Sequence, residues 1–346
     1  MKRGTGLLIA MFALLCCSPG ALASGGKAGI AYTTETKTGP PMVVVANGNG
    51  SSPRTLGKGD LPTIAPNGTS VAFATEGGGG PSLLVYSSAG KRTGKFFNSK
   101  RVSVGPIAWS RDSRYLAVGL TDVNAVNKIG KSGMAIVDTK TGKIYMVAHG
   151  MVSGASWDPS GDSVVFGLTT KANFSGGWNL YTSGPNTITL HKITTNNNSL
   201  NPVWGKLGIA YTQSKGRGKN NAPQYQVWLL NGTHETQITN VKASSLQEGL
   251  VPLAVSANGV NLVADFVGED TSNAYTVNLK THASKELMVS GQTVTPWGIS
   301  KNGQRVLVVF GGFEANASAG RIETLPFGGG SPTVLVAHGN VPSWNQ

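Results

Sequence analysis

The chain has 346 residues and is basic but sparsely charged: 29 Lys and Arg stand against 16 Asp and Glu, a net charge of +13, and only 13% of residues are charged. Its 48 glycines, with abundant Val, Thr and Ser, favour β-sheet with tight turns over helix bundles. The charge is compatible with anionic partners, although keeping a sparsely charged protein in solution is the simpler account of it.

The chain opens with Lys2 and Arg3, an apolar run from Leu7 to Cys17, helix-breaking Ser18-Pro19-Gly20, and the small-residue trio Ala21-Leu22-Ala23. This is the layout of a secretory signal peptide, so residues 1–23 are expected to be removed and 24–346 to form the mature protein, secreted or periplasmic. The run is shorter than the roughly 20 apolar residues a bilayer requires, and no second run of that length follows, so no transmembrane segment is expected. Lipidation at Cys16 or Cys17 would need a small residue just before it, where Leu15 and Cys16 stand. Cleavage after Ala23 removes both cysteines and leaves a mature chain without disulfide or thiolate chemistry.

Three short strands follow, near Ile30, Met42 and Arg54, and then one unit recurs along the chain. It starts at Pro or a small residue, reaches a Trp or aliphatic anchor, turns through a Ser-Pro-Asp-Gly type of sequence and continues as an apolar strand. The anchors are Ile64, Trp109, Trp157, Trp204, Val255 and Ile299, with spacings of 45, 48, 47, 51 and 44. The copy at Leu200 is shortened and lacks the full turn. Strand pairs behind the anchors, such as those starting at Met134 and Lys143, are joined by Asn, Gly and Ser turns. The period is that of a four-stranded propeller blade. The chain ends on an anchor strand alone, Val341 to Trp344, another 45 residues after Ile299. Joined to the three opening strands, it would complete a further blade. The expected fold is therefore all-β: a single seven-bladed β-propeller of four-stranded antiparallel blades, with velcro closure of its N- and C-terminal strands.

The motifs PIAWSRDS from Pro106, and SWDPSG from Ser156 with VVF from Val164, resemble the TolB-like (PD40) family of WD40-like repeats. The resemblance covers nearly all of the mature chain. It departs from TolB itself in having no separate N-terminal α/β domain and in counting seven blades where TolB has six, which weakens transfer of TolB's partner role.

Binding on such a scaffold is expected in the long second-to-third-strand connections, which share one face. Two of these are cationic, one with Lys128 and Lys131, the other with Lys215, Arg217 and Lys219. Phe174, Trp178 and Phe313 lie in or beside the same set and are suited to stack on a sugar or anchor a protein. Trp109, Trp157, Trp204 and Trp344 share one repeat position, which points to packing between blades, and Trp297 is placed on the same strand face. Asp112, Asp158 and Asp162 belong to turns whose amides they are expected to bind.

The five histidines show no metal spacing, and His149 and His338 fall blades apart. No nucleophile elbow, zinc-protease helix, EF-hand or dinucleotide fingerprint occurs, so no catalytic residue, metal or cofactor is expected. The reading is a non-catalytic, monomeric binding scaffold for a protein or anionic envelope polymer, with nucleic acid not the expected partner. Its rivals are an enzyme at the channel mouth, of polysaccharide lyase or hydrolase type, and a lectin-like carbohydrate binder.

Overall fold

A computed structural model describes residues 26–36, 38–75, 81–125, 128–171, 177–186, 188–217, 223–242, 248–268, 272–311 and 320–345, without the side chains of 215–217, 223 and 248. The segment read as a signal peptide lies outside them. The described residues form strands, turns and irregular connections, with no helix among them. No helix is therefore long and apolar enough to cross a membrane.

The repeat seen in the sequence is a four-stranded antiparallel unit. The Ile64 unit comprises Asp60–Ile64, Ser70–Thr75, Ser82–Ser87 and Arg92–Phe96, hydrogen-bonded in that order. The Trp109 unit comprises Val102–Trp109, Tyr115–Asp122, Gly133–Asp138 and Ile144–His149. The Trp157 unit comprises Met151–Trp157, Val164–Thr169, Asn179–Ser183 and the two-residue His191–Lys192. The Ile299 unit comprises Thr295–Ile299, Arg305–Phe310, Arg321–Pro326 and Thr333–Val336.

Two further units share an eight-stranded sheet. One begins at Ser199–Gly205 and the other at Glu248–Val255, and a short parallel pairing of Gln224 and Tyr225 with Glu248 and Gly249 joins them. The opening strands Ile30–Thr34, Met42–Ala46 and Arg54–Lys58 take Asn340–Trp344 as their fourth member, with Ile30 opposite Trp344.

Both faces of a unit are covered, which explains why the inner strands read as apolar runs. In Arg305–Phe310 all four residues from Val306 to Val309 are buried. The core is divided into clusters lying between successive units, and each anchor packs against the unit before it. Trp109 meets Leu83 and Val85, Trp157 meets Met134 and Ile136, and Trp204 packs on Val165 and Leu180. Val255 and Ile299 continue the series, and Trp344 packs with Leu307 and Ile322 of the Ile299 unit.

Hydrogen bonds cross the same junctions. The Trp109 indole donates to the Thr63 carbonyl at 3.0 Å and the Trp157 indole to that of Ala108 at 2.9 Å. The Trp204 amide donates to Ser156 Oγ and the Ile64 amide to Ser343 Oγ. In all four bonds the acceptor belongs to the residue just before the preceding anchor.

The repeat's proline has a physical reason. In every anchor strand the register with its neighbour slips by a bulge, for example between Asp60 and Thr63 and between Leu200 and Val203. Pro62, Pro106, Pro202 and Pro342 stand at these bulges, where a missing N–H costs no ladder bond. The residues before three of them, Leu61, Asn201 and Val341, adopt positive φ of 52°, 50° and 47°.

The same bulge corrects one expectation. Trp297 does not share the face of the anchors. The slip between Pro296 and Gly298 sends it to the opposite side, against the cluster that contains Trp344, while Ile299 packs toward Val263 and Ala274.

Candidate binding surfaces

Antiparallel order fixes two ends for every unit. The turn after the anchor strand and the hairpin between third and fourth strands fall at one end, the turn face. The connections from second to third strand and from one unit to the next fall at the other, the loop face.

On the loop face, the cationic connection from Thr121 to Ser132 is organised by one buried carboxylate. Asp122 accepts the amides of Lys131 at 2.8 Å and Asn124 at 3.1 Å and the Arg101 Nε at 2.8 Å, while its own amide donates to Ser132 Oγ. Burial alone would raise this carboxyl, but the donors outweigh it and hold it below the ordinary range. Lys128 and Lys131 stand exposed on this framework.

The second cationic connection differs from a simple loop. Strand Gly208–Arg217 runs on past Ser214 and pairs Arg217 with Pro223, so Lys215 and Arg217 lie in a strand-paired hairpin arm. Alternating cations and glycines read as loop because neither residue type signals a strand. Lys219 lies outside the described residues, as do Phe174 and Phe313.

Trp178 is half-buried, with its backbone amide on the Asn197 carbonyl and its carbonyl receiving the Ser199 amide. Asn179 and Asn197 bond side chain to side chain beside it, and Asn198 Nδ2 reaches the Ser214 carbonyl. Trp178 is thus tied to the base of the arm. A cavity of about 220 Å³ also opens at the loop-face end, between Pro40, Asp60, Thr75 and Pro81.

Between the faces, the anchor strands enclose a space of about 380 Å³ walled by Leu61, Pro62, Pro106, Leu253, Trp297 and Pro342. Among the described residues, no histidine, carboxylate, lysine or arginine lines it.

On the turn face, two of the three predicted carboxylates bind turn amides, while Asp162 accepts the Ser160 hydroxyl instead. Asp112 accepts the Arg114 amide and Ser110 Oγ, and Asp158 accepts the amides of Gly161 and Asp162. His149 and His338 are exposed, and no group of three or more metal-ligating side chains occurs among the described residues. Two cavities open on this face that sequence reasoning did not place. One, of about 720 Å³, is ringed by Trp109, Trp157, Trp204, Arg111, Lys206 and Lys301. The other, of about 730 Å³, lies between the Trp157 and Trp204 units and shares Pro159, Trp204 and Lys206 with the first. The available signal was the shortened turn of the Trp204 copy.

No protein-family model matches the chain, and no curated protein matches it in sequence. Solved structures do match. The β-propeller domain of the Trilobed protease from Pyrococcus furiosus superposes with a TM-score of 0.61 at 14% identity, over 90% of this chain and 97% of that domain. TolB from Acinetobacter baumannii gives 0.52 at 13% identity, over 93% and 84%. The fold is that of a TolB-like β-propeller. An oligogalacturonate lyase from Vibrio parahaemolyticus shares the propeller as well, with a TM-score of 0.56 at 13% identity over 90% and 87%. At such identities the likeness concerns architecture alone, and propellers of this kind occur in proteins with quite different tasks. In the propeller frame the anchor strands are the innermost, and the space they wall is the axial channel. The two turn-face cavities are its mouth and a cleft leading outward from it.

Proposed function

We propose that the chain is an exported, non-catalytic binding propeller that holds a protein or anionic envelope polymer on its loop face. The observation that carries this reading is the Asp122-centred framework, in which the carboxylate holds the Lys131 amide and the Arg101 guanidinium beside exposed Lys128 and Lys131. The hairpin arm with Lys215 and Arg217, bonded at its base beside Trp178, adds two cationic residues at the same end of the units. Against the channel-mouth enzyme, the carboxylates at the mouth, Asp112 and Asp158, are engaged by donors of their own turns, whereas general acid–base chemistry needs titratable groups free to face the reacting atoms.

We further propose seven blades in a closed, monomeric ring. Reading the eight-stranded sheet as two blades gives that count, and support for closure comes from Trp344 packing on the Ile299 unit while its strand pairs with Ile30–Thr34.

Binding to a soluble anionic polymer, followed across a salt series, tests the loop-face assignment. Exchange of Lys128, Lys131, Lys215, Arg217 and Lys219 for Ser is expected to weaken binding and flatten its salt dependence, with the melting temperature unchanged. Exchange of Lys91 and Arg92, exposed in a turn-face hairpin, is expected to leave binding intact. Equal binding by both variants would remove the loop face from the mechanism.

A further inference from the structure

Neighbouring anchor turns on the turn face are generally stitched together. The Asn67 amide donates to Ser113 Oγ, Arg111 Nη1 to the Pro159 carbonyl, and the Ala257 amide to the Lys301 carbonyl. Among the described residues, the junctions on both sides of the shortened Trp204 turn lack such a bond, and the one toward the Trp157 unit also opens a cavity. The Trp204 anchor strand ends at Gly205 and the next strand starts at Gly208, where the Trp109 unit passes from Trp109 to Tyr115. The shortening is built in: Gly208 adopts a φ of 129°, and a Cβ there would lie 2.2 Å from the Leu230 carbonyl oxygen. Among the described residues, no hydrogen bond joins the Asp158–Asp162 turn to the Gly205–Gly208 turn.

The missing turn leaves the cleft of about 730 Å³ open, running from the axial mouth toward the rim. Its walls are the uncovered edge of an inter-unit cluster: Ile193 and Trp204 with Ile209 and Leu230. Lys206 lies where cleft and mouth meet, and Arg111 and Lys301 stand around the mouth. The mouth's own carboxylates, Asp112 and Asp158, are engaged by their turn donors. The surrounding hairpins carry further exposed cations, among them Lys91, Lys140, Lys143 and Lys280.

We propose that this cleft is a docking groove for an extended peptide segment of a partner protein that carries an apolar side chain next to acidic residues. The apolar side chain enters between Ile193 and Leu230 beneath Trp204. The carboxylates reach Lys206 and the Arg111–Lys301 side of the mouth. A purely anionic polymer would meet the cations but leave the apolar walls unused, so complementarity favours the peptide. The site does not rest on the loop-face reading, because it lies at the opposite end of every unit.

Selection of a displayed library of random peptides against the purified full chain tests it, followed by affinity measurement on variants. Recovered peptides are expected to combine acidic with large apolar residues. They are expected to lose at least about ten-fold in affinity with Lys206→Glu, which reverses the central charge, and with Asn231→Trp, which fills the cleft from an exposed hairpin position. Both exchanges are at exposed sites, and unchanged circular dichroism and melting would show that the fold is intact. Lys128→Ser with Lys131→Ser is expected to leave peptide affinity unchanged, so failure of the loop-face reading stays distinguishable. Failure to enrich any peptide, or peptides that bind both cleft variants as tightly as the parent chain, would overturn the proposal. So would acidic sequences without apolar residues that polyphosphate displaces, since these would mark a general anion-binding surface.

Discussion

Two carboxylates show how the same side chain is pushed in opposite directions by its surroundings. Asp138 accepts two bonds from the Arg114 guanidinium, at 3.2 and 2.7 Å, and the amides of Lys140 and Thr141. Arg114 holds it far below the ordinary range, so its contribution to stability is present at neutral pH and is lost as acid protonates it through its low folded value. Asp265, by contrast, is raised to about 6 by burial, with Ser272 Oγ donating to it at 2.9 Å and partly offsetting the rise. A raised carboxyl works with the other sign. The folded state holds its proton more tightly, so stability falls as pH climbs from about 4 to about 6 and the full penalty persists above that. Asp265→Asn is therefore expected to stabilise the fold at pH 7.5 by about 1–2 kcal/mol, after allowance for partial exposure, and to change little near pH 4. Urea denaturation at the two pH values measures this, and equal effects at both would show that burial of charge is not the cause. Nothing in the sequence around Asp265 announces the shift, because it arises from packing against another unit.

At the scale of the element, what could be read from the sequence was what is local. The Ser-Arg-Asp-Ser turn after Trp109 is legible because Ser110 and Asp112 bond amides within five residues of themselves, and Ser256 with Asn258 and Ser300 with Asn302 repeat the arrangement. The side that Trp297 faces was not legible, since a one-residue bulge reverses orientation without altering composition. The extension of Gly208–Arg217 into a hairpin arm was hidden for a related reason: its pairing energy comes from the partner strand, and its own residues are typical of loops. The repeated anchor position carries a sharper consequence. Trp157 and Trp344 occupy equivalent places, yet the Trp157 indole donates to the Ala108 carbonyl whereas the buried Trp344 indole has no acceptor among the described residues. Trp157→Phe should thus lose a buried hydrogen bond, costing about 0.5–1.5 kcal/mol. Trp344→Phe relieves an unsatisfied donor and should cost distinctly less. Parallel chemical denaturation of the two variants checks the ordering, and a larger loss at Trp344 would contradict the assignment of the indole bonds.

At the scale of the whole molecule, the arrangement stands or falls on its last strand. Asn340–Trp344 pairs with Ile30–Thr34, and several bonds fasten it beyond the ladder. Thr33 Oγ1 donates to the Asn340 carbonyl, the Gly320 amide to Asn340 Oδ1, and the Asn345 amide to the Gly29 carbonyl. Trp344 meanwhile packs into the cluster between the opening strands and the Ile299 unit, and Ser343 Oγ accepts the Ile64 amide on the other side. One short strand therefore links the two ends of the chain, joining its own unit and the Ile64 unit near the N-terminus to the Ile299 unit near the C-terminus. Removing residues 341–346 exposes an edge on Ile30–Thr34 and opens that cluster, and the aromatic alone is worth about 3–5 kcal/mol. A loss of this size is a large fraction of the stability of a typical domain, so the truncated chain is expected to melt far lower and to aggregate through the exposed edge. Adding back a synthetic peptide with the sequence of Asn340–Gln346 should restore part of the melting temperature in a concentration-dependent way, because it binds the folded form alone. Thermal melts of the intact chain, the truncated chain and the truncated chain with peptide distinguish the cases. A truncated chain that melts like the intact one would mean that the terminal strand is ornamental and that some other contact holds the first and last units together.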